Sequence, residues 1–332
     1  MYDYLINYCK YRIIGNSIRI DASSICQLKC VKCFQSQDEN RIKRCYLKFC
    51  DFKKFVDDNP TFRNIELSDN GEIFLNPELK EIIEYGFKKG IDLTARNGVN
   101  LNTASEEVLE CLVKYKFKIM SVSIDGATNN TYQIYRRGGN LDNVIENIKR
   151  INFYKQKYNS KFPKLIWQFI IFGHNENELL EARRMAKKLN MRFFIKLNWS
   201  ESYSPVKDKE LIKRETKYAS RQEYEEKAKA SYSFPCHQLW LAPQISPDNE
   251  LLGCCNNSSS NTFGNVSRLG LQKCLRGERF IYAKKMLLGR VKGREDIPCF
   301  QCSKYKKIQS HKISLVGNFL KLQMRIKGVY FK

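Results

Sequence analysis

No stretch of this sequence approaches the roughly 18 continuous apolar residues that a membrane-spanning helix needs. The opening residues, MYDYLINYCKYRIIGN, also lack the charged, apolar and small-residue regions of a signal peptide. These absences lead to the expectation of a cytoplasmic protein without a transmembrane segment. Acid is scarce as well: 35 Asp and Glu stand against 58 Lys and Arg, a net charge of +23. Such a balance suits nucleic acid, an anionic membrane surface or a phosphorylated substrate. The basic residues are scattered, however, and no interleaved aromatic-basic array of the kind that grips single strands is present. We therefore expect a solvated basic surface and weigh against a nucleic-acid partner. The richness in Lys, Asn, Ile and Tyr fits the coding bias of an A/T-rich genome. Internal repeats and low-complexity tracts are missing too.

What the chain does have is cysteine, 13 in 332 residues. The cytosol keeps thiols reduced, so without a signal peptide a disulfide framework is a poor explanation, and an odd count fits badly with complete pairing. Metal or redox chemistry becomes the leading account. With 42% hydrophobic and 12% aromatic residues the chain can bury a sizeable core, enough for one large domain and a smaller second one.

From residue 18 to 200, short apolar runs alternate with amphipathic stretches. SIRIDASS, NIELSDN, IDLTARNG, IMSVSID, LIWQFIIFG and MRFFIKLN read as six strands. NPELKEIIEYGFKKG has helical spacing and a stop at Gly90, and ASEEVLECLVKY, LDNVIENIKRINFYKQ and ENELLEARRMAKKLN read as further helices. Alternation of this kind predicts parallel β with helices packed outside, and six units are too few for an eight-fold barrel. We expect an α/β fold, a partial (β/α)6 barrel over 18–200. An N-terminal segment covers 1–17, a polar strandless linker 201–234, a cysteine-bearing domain 235–310 and a basic tail 311–332. The tail is expected to pack on the body.

The first strand leads into SSICQLKCVKCFQS, which holds Cys26, Cys30 and Cys33. A disulfide uses two thiols and a structural zinc usually takes four ligands. Three close cysteines point to a metal centre with one open coordination position. An iron–sulfur cluster held by thiolates fits this. The rival is zinc completed by Cys45 or Cys50, whose spacing does not match the paired gaps of zinc ribbons. We read Cys45 and Cys50 as ordinary thiols.

At these residues the chain resembles the radical S-adenosylmethionine (SAM) superfamily, whose signature is C-x3-C-x2-C. Lys32 stands where that family usually carries an aromatic residue that shields the cluster and contacts adenine. SDNGEIFLNPEL resembles the family's glycine–glutamate motif, which implies that Gly71 and Glu72 help hold the SAM amino group. TARNGVNL resembles the threonine–asparagine–glycine segment, with Arg96 in the threonine's place, and offers Asn97. SVSIDGATNNTYQIYRRGGNLDNVIENI resembles the strand end that supplies a serine and, further on, an arginine for the SAM carboxylate. The positions that carry over are Ser123 and Arg137, ahead of Arg136; a guanidinium supplies the fork of donors a carboxylate needs.

A second set of cysteines lies in FPCHQLWLAPQISPDNELLGCCNNSSS and DIPCFQCSKY. The first segment reads as a hairpin around SPDNE with thiols at its ends, and the second is a tight C-x2-C. A zinc would satisfy the same ligands. The pattern resembles the SPASM and twitch domains that follow the core in many radical SAM enzymes. One auxiliary four-iron cluster is implied, held by Cys236, Cys254, Cys299 and Cys302, with Cys255 and Cys274 spare and His174 and His237 structural.

The resemblance implies an enzyme that splits SAM reductively to a deoxyadenosyl radical and abstracts a hydrogen from a C–H bond. The expected cofactors are SAM, a SAM-binding 4Fe-4S cluster and one auxiliary 4Fe-4S cluster, with a reducing partner such as flavodoxin or ferredoxin. The short segment before Cys26 leaves little room for a leader-peptide-binding domain, so a small-molecule substrate comes first: a sugar, aminocyclitol or nucleotide-linked sugar, which the positive charge would suit if phosphorylated. A peptide-modifying maturase is the enzymatic alternative. A zinc-stabilised basic nucleic-acid-binding protein is the alternative outside enzymes.

Overall fold

The computed structural model describes residues 15–38, 41–228 and 230–310. The basic tail over 311–332 and nearly all of the N-terminal segment lie outside them. The chain divides into two compact units. The larger comprises Ser17–Ser220 with Ser246–Asp248; the smaller comprises Met1–Asn16, Arg221–Ile245 and Asn249–Lys332. Among the described residues no helix is long and apolar enough to cross a membrane.

Six strands form the frame of the larger unit: β1 (Ser17–Ile20), β2 (Asn64–Glu66), β3 (Asp92–Val99), β4 (Ile119–Ser123), β5 (Lys164–Ile171) and β6 (Arg192–Leu197). They pair in chain order, each parallel to the next, with Ile18 opposite Ile65, Ile65 opposite Leu93, Met120 opposite Leu165 and Phe169 opposite Ile195. Helices Phe49–Asp58, Leu79–Lys88, Glu106–Lys114, Leu141–Lys157 and Leu179–Lys188 fill the five crossovers. This is the alternation the apolar runs predict.

Side chains alternate across a strand, so residues paired in register share a face. One face is apolar: Ile18, Ile65, Leu93, Val122, Leu165, Trp167 and Phe169 are all buried. The matching stripes of the helices, such as Phe52, Ile82, Leu109, Val144 and Ala182, are buried too. Covering that face is what drives the helices onto the sheet. The other face is polar, with Arg19 opposite Glu66, Glu66 opposite Thr94, and Ser123 opposite Gln168. The strand ends therefore open onto a polar inner face, the position from which parallel folds of this kind build their sites.

Helix starts are set locally. Ser105 accepts from Val108 N–H and Asn140 from Asp142 N–H, and Gly90, in the left-handed region at φ +68°, follows the end of Leu79–Lys88 as its sequence foretells. The helix Phe49–Asp58 was not among the expected elements. It buries Phe52, Phe55 and Val56 and leaves Cys50 exposed. The strandless stretch after β6 holds two helices, Lys209–Thr216 in the larger unit and Arg221–Ala228 in the smaller.

In the smaller unit Ile245 bridges Leu251 in antiparallel fashion, as a hairpin requires. Helices Val266–Leu269, Leu271–Arg276, Glu278–Leu287 and Ser303–Gln309 follow. Its core gathers Leu252, Phe263, Leu275, Phe280, Met286 and Ile297, with Phe263 and Phe280 packed edge to face at 5.0 Å.

Candidate metal centre

β1 ends at Ile20, and the chain then crosses the C-terminal ends of the strands as the cysteine loop. The loop is tied down on both flanks. Ala22 N–H donates to Leu67 O at 2.9 Å, and Ala22 O accepts from Leu47 N–H and from the Asn76 side chain at 2.7 Å. Ser24 accepts from Cys45 N–H, and Gln35 Nε2 donates to Ser24 O at 2.8 Å. On the far side Lys29 N–H donates to Arg137 O at 3.0 Å and Val31 N–H to Tyr135 O at 3.3 Å. Cys30 is buried with Leu28, Tyr135, Ile170 and Phe172, and Cys26 and Cys33 are packed half-buried against the same cluster.

Burial pushes the Cys26 thiol up to about 12, with the nearby Glu72 carboxylate and the other two thiols adding to the effect. Cys30 is pushed up by burial too, partly relieved by Arg136. Thiolates here therefore need a positive centre beside them to form. The three loop thiols lie within one another's electrostatic reach.

Gly71 and Glu72 follow β2 and lie against this loop. Glu72 N–H donates to Ile25 O at 2.8 Å. The Glu72 carboxylate is buried and accepts from Phe74 N–H and Asn100 N–H. Burial lifts it to about 7, while those two N–H groups and the charge of Arg136 pull it back down. Gly98, at φ +129° near the end of β3, lets the strand close on Ser123: a Cβ there would lie 2.4 Å from Ser123 Oγ. Ser123 is buried at the end of β4 and accepts from Gln168 Nε2 at 3.3 Å.

Two positions differ from the sequence reading. Arg137 is exposed, and it ties to the cysteine loop through its carbonyl; the guanidinium beside the thiols belongs to Arg136. Arg136 donates through Nε to the fully buried Asp125 at 2.6 Å, and one of its terminal nitrogens stands 3.6 Å from Cys30 Sγ. The short helix Asn129–Tyr135 ends one residue earlier, and that ending turns Arg136 inward and Arg137 outward. Burial works against the Arg136 charge, but Asp125 and Cys30 hold its pKa well above the ordinary value. Asn97 is bound to the end of β2, donating to Ser68 O at 2.6 Å. The asparagine at the thiols is Asn100, which the motif reading did not pick out. Nor did it find Asp125 or Tyr203, although Asp125 directly follows the strand-ending apolar run.

An aromatic wall completes the loop's surroundings. Tyr135 and Phe172 rings lie 4.7 Å apart, and Tyr203 meets both at 6.1 and 5.6 Å. Lys32 Nζ sits 5.9 Å over the Tyr203 ring, so the segment after β6 supplies an aromatic beside the position where the motif has lysine. His174 stacks on Phe172 at 5.1 Å and pairs Nδ1 with Ser204 Oγ at 2.8 Å.

In the smaller unit, Cys236, Cys254 and Cys299 are buried and Cys302 is half-buried. Burial raises the Cys299 thiol, and Cys254, Cys236 and Cys302 add to it, so these four thiols share one neighbourhood. Cys254 is pushed up to about 12 for the same reasons. Cys255 turns toward Gln238, whose Oε1 accepts its N–H at 2.9 Å and whose Nε2 lies 3.6 Å from its sulfur. Its charge is nonetheless felt at Cys236. Cys274 is buried apart from them, near Glu250.

No protein-family model matches the chain. Over 270 residues it is 26% identical to the antilisterial bacteriocin subtilosin biosynthesis protein AlbA of Bacillus subtilis (strain 168). That match takes in 73% of this chain and 55% of AlbA, so the chain spans about half the length of this curated relative. Among solved structures, Streptococcus suis SuiB bound to S-adenosylmethionine is similar with a TM-score of 0.65 at 15% identity, covering 92% of this chain and 75% of SuiB. SuiB bound to its precursor peptide SuiA gives 0.63 at 16% identity, over 91% and 72% of the two chains. BtrN in complex with AdoMet and 2-DOIA gives 0.51 at 11% identity, over 86% and 92%. At these identities the structures establish a common fold.

Proposed function

We propose that this chain, which belongs to the radical SAM superfamily, modifies a peptide substrate by hydrogen abstraction. The observation that carries the substrate class is the likeness to AlbA, a bacteriocin biosynthesis protein, joined by the likeness in fold to SuiB in complex with a precursor peptide. A sugar or aminocyclitol comes first on the sequence alone, from the shortness of the segment ahead of Cys26. That ground is weak physically, because the space above the strand ends selects a substrate and the length of a preceding segment does not.

Cys26, Cys30 and Cys33 would hold an iron–sulfur cluster, which would supply the one-electron reduction of bound SAM. The chain's own residues bind and orient. Glu72, held by two backbone N–H groups, would face the SAM ammonium. Ser123 and Arg136 would take the carboxylate, with Asp125 fixing the arginine. The aromatic wall of Tyr135, Phe172 and Tyr203 excludes water from the loop. Cys236, Cys254, Cys299 and Cys302 would hold an auxiliary cluster. An acidic electron carrier of the flavodoxin or ferredoxin kind suits the basic surface as reductant.

The test uses the full chain, reconstituted anaerobically with iron, sulfide and SAM. It is offered a deuterated peptide encoded beside its gene, and separately a deuterated aminocyclitol. Transfer of deuterium from the peptide into deoxyadenosine is the expected result. Transfer from the aminocyclitol alone would return the substrate to the sugar class.

A further inference from the structure

Asn100 stands in TARNGVNL but is not among the residues the resemblance offers, and it touches three parts of the site. Its side chain is buried, with Nδ2 3.7 Å from Cys26 Sγ and 3.3 Å from Gln27 Oε1. Its Oδ1 accepts from Gln27 Nε2 at 3.0 Å and from Asn102 N–H at 3.0 Å. Its own backbone N–H donates to the Glu72 carboxylate. A backbone N–H can be met only by an acceptor, so the Asn102 bond fixes which end of the amide is oxygen and leaves Nδ2 facing the thiol. Gln27 locks the same orientation from the other side through a reciprocal amide pair.

A ligating thiolate carries excess electron density, and N–H donors aimed at it favour the reduced form of the centre it holds; such hydrogen bonds are among the levers that set an iron–sulfur potential. We propose that Asn100 is a positioning residue for the first centre. It donates to the Cys26 thiolate, raises the reduction potential of the cluster there, and fixes Glu72 through its backbone. This rests on the reading that the Cys26 loop carries an iron–sulfur cluster.

The test compares wild type, Asn100→Leu and Gln27→Leu, each reconstituted anaerobically. Asn100→Leu keeps the volume and the backbone N–H while removing the amide donor. Gln27 is half-buried at the loop's rim, where a change is tolerated more easily. Iron and sulfide are assayed first. A potentiometric titration then follows the electron paramagnetic resonance signal of the first cluster, identified by its change on adding SAM. We expect unchanged iron and sulfide in both variants. In Asn100→Leu the reduction equilibrium should shift about tenfold toward the oxidised form, ~59 mV for a one-electron couple. Gln27→Leu should shift the same way by less. An intact cluster at the wild-type potential in both variants overturns the proposal and leaves the cluster reading standing. Loss of the cluster from Asn100→Leu beside a wild-type potential in Gln27→Leu reduces Asn100 to a structural role, and overturns it as well. A wild type without sulfide, or without a SAM-responsive signal, removes the cluster reading and this proposal together.

Discussion

Gly71 meets two separate demands. Its φ is +70°, which L side chains rarely adopt, and a Cβ there would lie 2.7 Å from backbone atoms of Ser23, Ser24 and Ile25. Backbone cannot rotate aside as a side chain can, so Gly71→Ala should cost about 2 kcal/mol or more. The clash falls on the cysteine loop itself. We therefore expect both a lower melting temperature and less iron bound after reconstitution; wild-type values of both would show that the loop has slack. Glu72 carries a prediction about pH. Its carboxyl titrates near 7 in the free protein because burial disfavours its charge, and a bound ammonium favours the ionised form. SAM affinity should therefore rise as pH increases through 7 and level off above it. Glu72→Gln should bind SAM about ten- to a hundredfold more weakly at pH 8, the loss of a charge-assisted bond of roughly 1.5–3 kcal/mol, with that pH dependence flattened. Equilibrium dialysis between pH 6 and 8 reads both effects.

At the scale of elements, the cysteine loop is gripped between β2 and the end of helix Asn129–Tyr135, and Asp125 is the pivot of the second grip. It is fully buried, accepts from Ile170 N–H at 2.7 Å and pairs with Arg136. Asp125→Ala leaves a buried guanidinium unpaired and should destabilise the larger unit by about 3–5 kcal/mol, measured by urea unfolding. A loss below 1 kcal/mol would mean that water reaches Arg136. In the smaller unit the adjacent Cys254 and Cys255 face different surroundings: Cys254 is buried near Cys236 and Cys302, and Cys255 turns toward Gln238. Cys254→Ala should lose about half of the iron and Cys255→Ala should keep it; the reverse pattern would shift the ligand by one residue. The strands were legible in the sequence because their apolar runs are short and bracketed by Gly, Asn and Asp. Helix Phe49–Asp58 is not among the elements expected from the sequence, although Phe52, Phe55 and Val56 repeat at helical spacing. The sequence reading puts Arg137 ahead of Arg136, but which of two neighbours turns inward depends on where the preceding helix stops, here Tyr135.

For the whole molecule the prediction is stoichiometric. Anaerobically reconstituted chain should carry about eight irons with matching sulfide, two clusters of four. Replacing Cys26, Cys30 and Cys33 together by Ala should halve that and abolish SAM cleavage. Two zincs without sulfide would instead favour a structural, non-enzymatic protein. By itself the sequence determined where the thiols gather and the frame that carries them. Thiol spacing is a local property, and periodicity of two or 3.6 is imposed by backbone geometry whatever the rest of the chain does. So the three-cysteine loop, the six strand–helix units and the second thiol set could be read residue by residue. Only the tertiary structure decided which polar groups meet. Asn100 reaches Cys26 across 74 positions of chain, and Arg136 reaches Cys30 across 106. Contacts of that range are fixed by how six strands align and where their loops converge, and no local pattern in the sequence encodes them.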